Sequence, residues 1–238
     1  MFLATIIIIS SLLYMLVQWK NHRLAITTET SVLFDQTDPQ LSPLSADSIY
    51  RGFHLHGEDA KWRGAIFRYS TISDVSYTRL TEASIEPDNP WIDNIHDRTA
   101  RLEEFRAAVF KSFETVKDSG TKPHSSVYLP IARELSHLAQ SKAQVRRLYV
   151  FSDLMENTPD LSFYTAATLQ MLSDYPDYIL RKFESWQTLP SLTGIEVFLI
   201  YQPKDISADK SFRIVSEFYG KMLEAKGAKV IIEANLQN

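Results

Sequence analysis

Asp35 and Asp153 each close an apolar run, in Val32-Leu33-Phe34-Asp35 and in Leu148-Tyr149-Val150-Phe151-Ser152-Asp153. A short run that is hydrophobic on both faces reads as a buried parallel strand, with its first polar side chain at the carboxyl end. Ligands of open α/β sheets sit at that end. Two carboxylates delivered to one rim repel each other unless positive charge lies between them, and a hard cation such as Mg2+, bound by oxygens, removes the conflict. Further oxygens follow at once: Thr37 and Asp38 after Asp35, Glu156 and Asn157 after Asp153. Taken singly, an aspartate after a strand also has a local use, as a cap for the next turn or helix.

Other chemistries find little support. The chain has no cysteine, which removes disulfides, thiolate metal sites and thiol catalysis. His54 and His56 could share one face of an extended segment, but no third and fourth ligand at zinc spacing accompanies them. Gly-x-Ser-x-Gly, Walker and dinucleotide motifs are missing, and seven glycines in 238 residues argue against a phosphate-cradling loop. A net charge of -4 gives no footprint for nucleic acid. Asp35 at a strand end also resembles the nucleophile of haloacid dehalogenase-type aspartyl phosphatases, a family that typically has Asp-x-Asp, where the third residue here is Thr37. The enzymatic alternative is therefore a metal-dependent phosphohydrolase using Asp35 and Asp153.

The elements that must position these residues begin after a hydrophobic amino terminus. Phe2 to Trp19 carries no charged residue and approaches the length that crosses a bilayer, and Trp19, Lys20, His22 and Arg23 form an interfacial boundary. With no basic residues before it and no small-x-small site after it, the segment reads as an anchor rather than a cleaved signal. Residues 1–19 are the transmembrane anchor, 20–30 a linker and 31–238 the domain. The positive charges following the anchor favour a cytoplasmic domain, and their small number leaves an extracytoplasmic one open.

Within the domain, strand-like and helix-like segments alternate, the signature of an α/β sheet with helices on both faces. Strands are expected at Ser31 to Asp35, Arg63 to Ile72, Tyr77 to Ile85, Arg147 to Ser152, Ile195 to Tyr201 and Lys229 to Ala234. The second and third are separated by four residues, which permits only an antiparallel hairpin. Helices are expected between Leu44 and His56, from Ile95 to Val116, after His124-Ser125-Ser126, from Leu161 to Trp186 with a break near Tyr175-Pro176, and from Ser207 to Ala225. Asp88-Asn89-Pro90-Trp91 reads as the loop entering the second helix, with Trp91 either packed or an exposed anchor.

This order, with Asp-terminated first and fourth strands, resembles the von Willebrand factor A (vWA) domain over roughly Ser31 to the carboxyl end. It is also similar to a bacterial membrane-anchored vWA-like group with an Asp-x-Thr-Asp-Pro first loop, here Asp35-Gln36-Thr37-Asp38-Pro39. That group's further loops correspond to Ser125-Ser126-Val127 and to Ser152-Asp153-Leu154-Met155-Glu156-Asn157 with Leu161-Ser162-Phe163-Tyr164. The resemblance implies a three-layer, Rossmann-like fold, mostly parallel with one antiparallel edge strand. It also implies a metal-ion-dependent adhesion site built from an Asp-x-Ser-x-Ser loop, a second-loop hydroxyl and a third-loop aspartate. Carried over by position, the metal ligands are Asp35, Thr37, Ser125 and Asp153, with Mg2+ as the cofactor. Asp38, Ser126, Glu156 and Asn157 would form a partner-binding rim. Pro39 stands where the family has its second serine, which removes one ligand. The implied function is a non-enzymatic, membrane-anchored module that binds another protein in a membrane-associated complex.

Overall fold

The computed structural model describes residues 2–23, 25–35, 46–72, 80–114 and 125–234. Its elements in chain order are α1 (Phe2–Arg23), β1 (Ile26–Asp35), α2 (Ala46–Arg51), a 3-10 turn (Ala60–Trp62), β2 (Gly64–Ile72) and β3 (Leu80–Ile85). They continue with α3 (Ile95–Glu114), α4 (Tyr128–Gln140), β4 (Val145–Phe151), the short pair β5 (Asn157–Thr158) and β6 (Leu161–Ser162), and α5 (Ala166–Asp174). α6 (Pro176–Trp186), β7 (Ile195–Ile200), α7 (Ile206–Ala225) and β8 (Lys229–Glu233) complete the chain.

Six strands form one sheet in the order β3-β2-β1-β4-β7-β8. β1 pairs in parallel with β2 and β4, β7 in parallel with β4 and β8, and β2 and β3 are antiparallel. The expected hairpin is thus present, and β3 closes one edge. From β1 the chain first builds outward through β2 and β3 and then crosses to β4 on the other side. The switch point, where adjacent strands lead their connections to opposite sides, lies between β1 and β4.

Side-chain alternation distributes the core between two faces. Leu33, Leu148 and Val150 join residues of α4, α5, α6 and α7, whereas Val32, Tyr149 and Phe151 join residues of α2 and α3. Phe105 and Val109 of α3 are buried, with Leu102 and Phe113 packed against the same cluster; Val116, the last of the expected stripe, lies outside the described residues. On the other face Tyr128 stacks on Phe183 with ring centroids 4.1 Å apart, and Tyr219 packs against the same ring.

Several boundaries differ from the sequence reading. β1 begins at Ile26, so residues 26–30 belong to the sheet and not to a linker. Thr27, Thr28, Glu29, Thr30 and Ser31 are all buried, a polar half-strand without the hydropathy expected of a central strand. Three of these side chains have named partners: Thr27 Oγ1 donates to Gly64 O at 3.2 Å, Ser31 Oγ to Glu134 at 2.9 Å, and Glu29 pairs with His137 at 2.8 Å. Residues 161–165 are not helical, because Leu161-Ser162 pairs with Asn157-Thr158 and Thr165 caps α5 through the Thr168 amide. The break at Tyr175-Pro176 is present, with Pro176 opening α6. α2 is shorter than the segment 44–56 and ends at Arg51.

Among the described residues, no helix is long and apolar enough to cross a membrane. In α1 the described side chains run from 6 to 16, and all are exposed.

Candidate functional site

The site is built at the carboxyl ends of β1 and β4, where the switch point lies. Asp35 is fully buried at the end of β1. The register that sets Phe34 opposite Phe151 brings Ser152, not Asp153, beside it at the next step. Ser152 Oγ donates to Asp35 Oδ2 at 2.6 Å and itself accepts from the Leu154 amide at 2.9 Å. Parity explains the pairing: Leu33 and Asp35, like Val150 and Ser152, point to the face covered by α4.

Asp153, one residue further, serves the turn. Its Oδ1 accepts from the Met155 amide at 2.9 Å and its Oδ2 from the Tyr164 hydroxyl at 3.3 Å. Leu154 then adopts a left-handed backbone (φ 62°) while its side chain is fully buried. A leucine in that region is a strained conformation, of the kind held where surrounding packing over-determines it. The turn it makes drives Met155 and Glu156 back into the protein.

Glu156 is fully buried. Its Oε2 accepts from the Val127 and Tyr128 amides at 2.9 and 2.8 Å. It thereby satisfies two donors at the start of α4, in the place where a helix favours negative charge. Asn157 holds the same segment through paired backbone bonds with Ser125, at 3.2 and 2.8 Å. Glu156 Oε1 and the hydroxyls of Ser125 and Ser126 are buried with no hydrogen-bond partner. The Ser126 hydroxyl still lies close enough to Glu156 to favour its charged form, without making a bond of normal geometry. Burial raises the Glu156 carboxyl to about 7, against the lowering effect of the Tyr128 and Val127 amides, and the Asp35 charge raises it further.

Ser126 and Glu156, expected on an exposed partner-binding rim, are therefore buried, and Asn157 is partly buried in β5. Thr37, Asp38 and Pro39 lie outside the described residues. Of the four ligands implied by resemblance, Asp35 and Ser125 fall in the buried cluster, whereas Asp153 caps its own turn. Sequence reasoning missed Ser152 and the central place of Glu156. The apolar pair Leu154-Met155 before Glu156 was the available signal, since two such residues after a strand end direct the loop inward. Among the described residues, no group of three His, Cys, Asp or Glu side chains is arranged to hold a metal ion. The oxygen-only donor set of Asp35, Glu156, Ser125 and Ser126, with three buried oxygens unpartnered, is nonetheless of the type a hard cation takes.

No protein-family model matches this chain. No curated protein matches it either. His54 and His56 are both exposed, and His56 meets the Tyr50 ring edge-on.

Proposed function

We propose that this chain is a membrane-anchored, non-enzymatic interaction module of the vWA-like type, whose carboxyl edge receives another protein. The observation that carries the reading is the buried polar cluster at the switch point, with Glu156 Oε1, Ser125 Oγ and Ser126 Oγ unpartnered beside the buried Asp35. Two carboxylates in such a place are neutralised either by a proton on one of them or by a cation between them. Asp35, Glu156 and Ser125 are the described residues that would hold Mg2+, and the ion would supply charge compensation between the two buried carboxylates. Tyr164 and Ile206 are both more than half exposed and flank this edge, giving a partner apolar area beside the site.

The anchor belongs to the same proposal. A helix apolar all round, exposed at every described position from 6 to 16, has no polar face to turn to water.

Millimolar Mg2+ or Mn2+ is expected to raise the melting temperature of the chain in detergent, by about 2–4 °C per kcal/mol of binding. Asp35→Ala should abolish the gain. No shift in the unmodified chain would remove the cation from the proposal. Capture of a partner that is lost on chelation would support the interaction reading; turnover of a phosphate ester, lost in Asp35→Asn, would replace it with the hydrolase.

A further inference from the structure

The opposite, amino edge of the sheet carries its own exposed apolar feature. Trp91 is 82% exposed and Ile92 76%, and Ile95 is exposed at the start of α3. Topology fixes where they lie. β3 is antiparallel, so its end at Ile85 sits beside Ala65, at the beginning of β2. The Gly64 amide donates to Ala25 O at 3.3 Å, and a Cβ on Gly64 would fall 2.6 Å from Ile26 Cδ1 and 2.8 Å from Pro87 Cδ. The segment bearing Trp91 therefore leaves the sheet where the chain enters β1, three residues after Arg23 ends α1.

That segment is firmly built. The Asn89 amide donates to Asp93 Oδ2 at 2.6 Å, Asn89 Oδ1 accepts from the Trp91 amide at 3.1 Å, and Asn89 O accepts from the Ile92 and Asp93 amides. Beneath it the fully buried Arg98 donates to the carbonyls of Lys61, Glu86 and Arg63 and pairs with Asp88. Two large apolar side chains are thus held outward by a braced turn.

We infer that Trp91 and Ile92 insert into the lipid interface beside the end of α1, so that the domain rests on the bilayer by its amino edge with the polar cluster facing away. Tryptophan favours that interface because its ring is apolar with one polar group. Exposed charges around the turn have both signs, Glu86, Asp93 and Asp97 with Arg63 and Arg101, so the turn itself meets lipid through its apolar side chains. The inference rests on the anchor proposed above.

The full chain, which has no native cysteine, would be reconstituted in phosphatidylcholine vesicles with a single environment-sensitive label at Trp91→Cys, Ile92→Cys or, as a control in the β5–β6 turn at the carboxyl edge, Asp160→Cys. Labels at 91 and 92 should shift to the blue and lose most of their emission to a lipid-borne quencher, while the label at 160 does neither. Vesicle flotation without quenching at 91 and 92 overturns the inference and leaves the anchor standing. Shielding at 91 without lipid quenching means a protein surface covers it, and equal quenching at 160 means the domain is not oriented; either overturns the inference. Failure to float with vesicles overturns both the anchor and the inference.

Discussion

The partner of Asp35 was set by a single step in register. Both aspartates were legible as strand ends, yet one residue of parity gives Ser152 to Asp35 and Asp153 to its own turn. Sequence shows that two strands end on carboxylates, but not which residue of each end faces the other. Glu156 makes the sharper case, because its burial depends on a left-handed leucine that nothing in a hydropathy pattern announces. The consequence is measurable. A carboxyl raised from its ordinary value to about 7 keeps its proton in the folded state while the unfolded chain has already lost it. Stability is therefore highest at and below about pH 4.5 with respect to this group, falls as pH rises towards 7, and is flat above it. The loss is on the order of 3 kcal/mol. Glu156→Gln is expected to flatten that slope in urea titrations at pH 5 to 8; an unchanged slope would show that Glu156 ionises normally. Saturating Mg2+ should flatten it too, if the ion takes the proton's place.

Elements were read more securely than their ends. The apolar stripes of α3, α4 and α7 gave those helices, because a 3.6-residue repeat is visible in any window long enough to contain it. The polar first half of β1 escaped for the converse reason: its burial is compensated by partners 37 to 108 residues away, including Gly64, Glu134 and His137. The segment from 161 to 165 was drawn into a helix by its apolar residues, whereas Leu161-Ser162 pair as the second strand of a small hairpin and the rest turns into the α5 cap. Arg98 shows how strongly one side chain can join elements. Its guanidinium collects the carbonyls of Lys61 within the 3-10 turn, of Arg63 just after it and of Glu86 at the exit of β3. Arg98→Ala is expected to cost about 2–4 kcal/mol, since it leaves three part-buried carbonyls without their donor and Asp88 with Arg101 as its remaining cationic partner. Hydrogen exchange should locate the damage in residues 60–64 and 86–94, and an unaltered exchange pattern there would contradict the bracing role.

At the scale of the whole molecule, the mixed sheet and its hairpin edge followed from the alternation of segments and one short spacer, while the strand order emerged only from the pairing. On the proposed reading, deleting residues 2–19 should release the chain from membranes into the supernatant of a carbonate-washed fraction. Continued attachment would mean that another surface holds it. On the same proposed reading, the buried polar half of β1 would have a role during synthesis. β1 leaves the ribosome directly after α1, but its neighbour β4 arrives more than a hundred residues later, with Thr28 opposite Val145. An apolar strand waiting that long beside lipid would partition into it, whereas threonines and a glutamate keep the nascent strand in water until its partners exist. Replacing Thr28 and Thr30 together by valine is expected to reduce the fraction of newly made chains that reach a protease-resistant domain when membranes are present, with little loss when they are absent. The polarity of this central strand would then be a timing device, one that delays burial until the sheet can accept it.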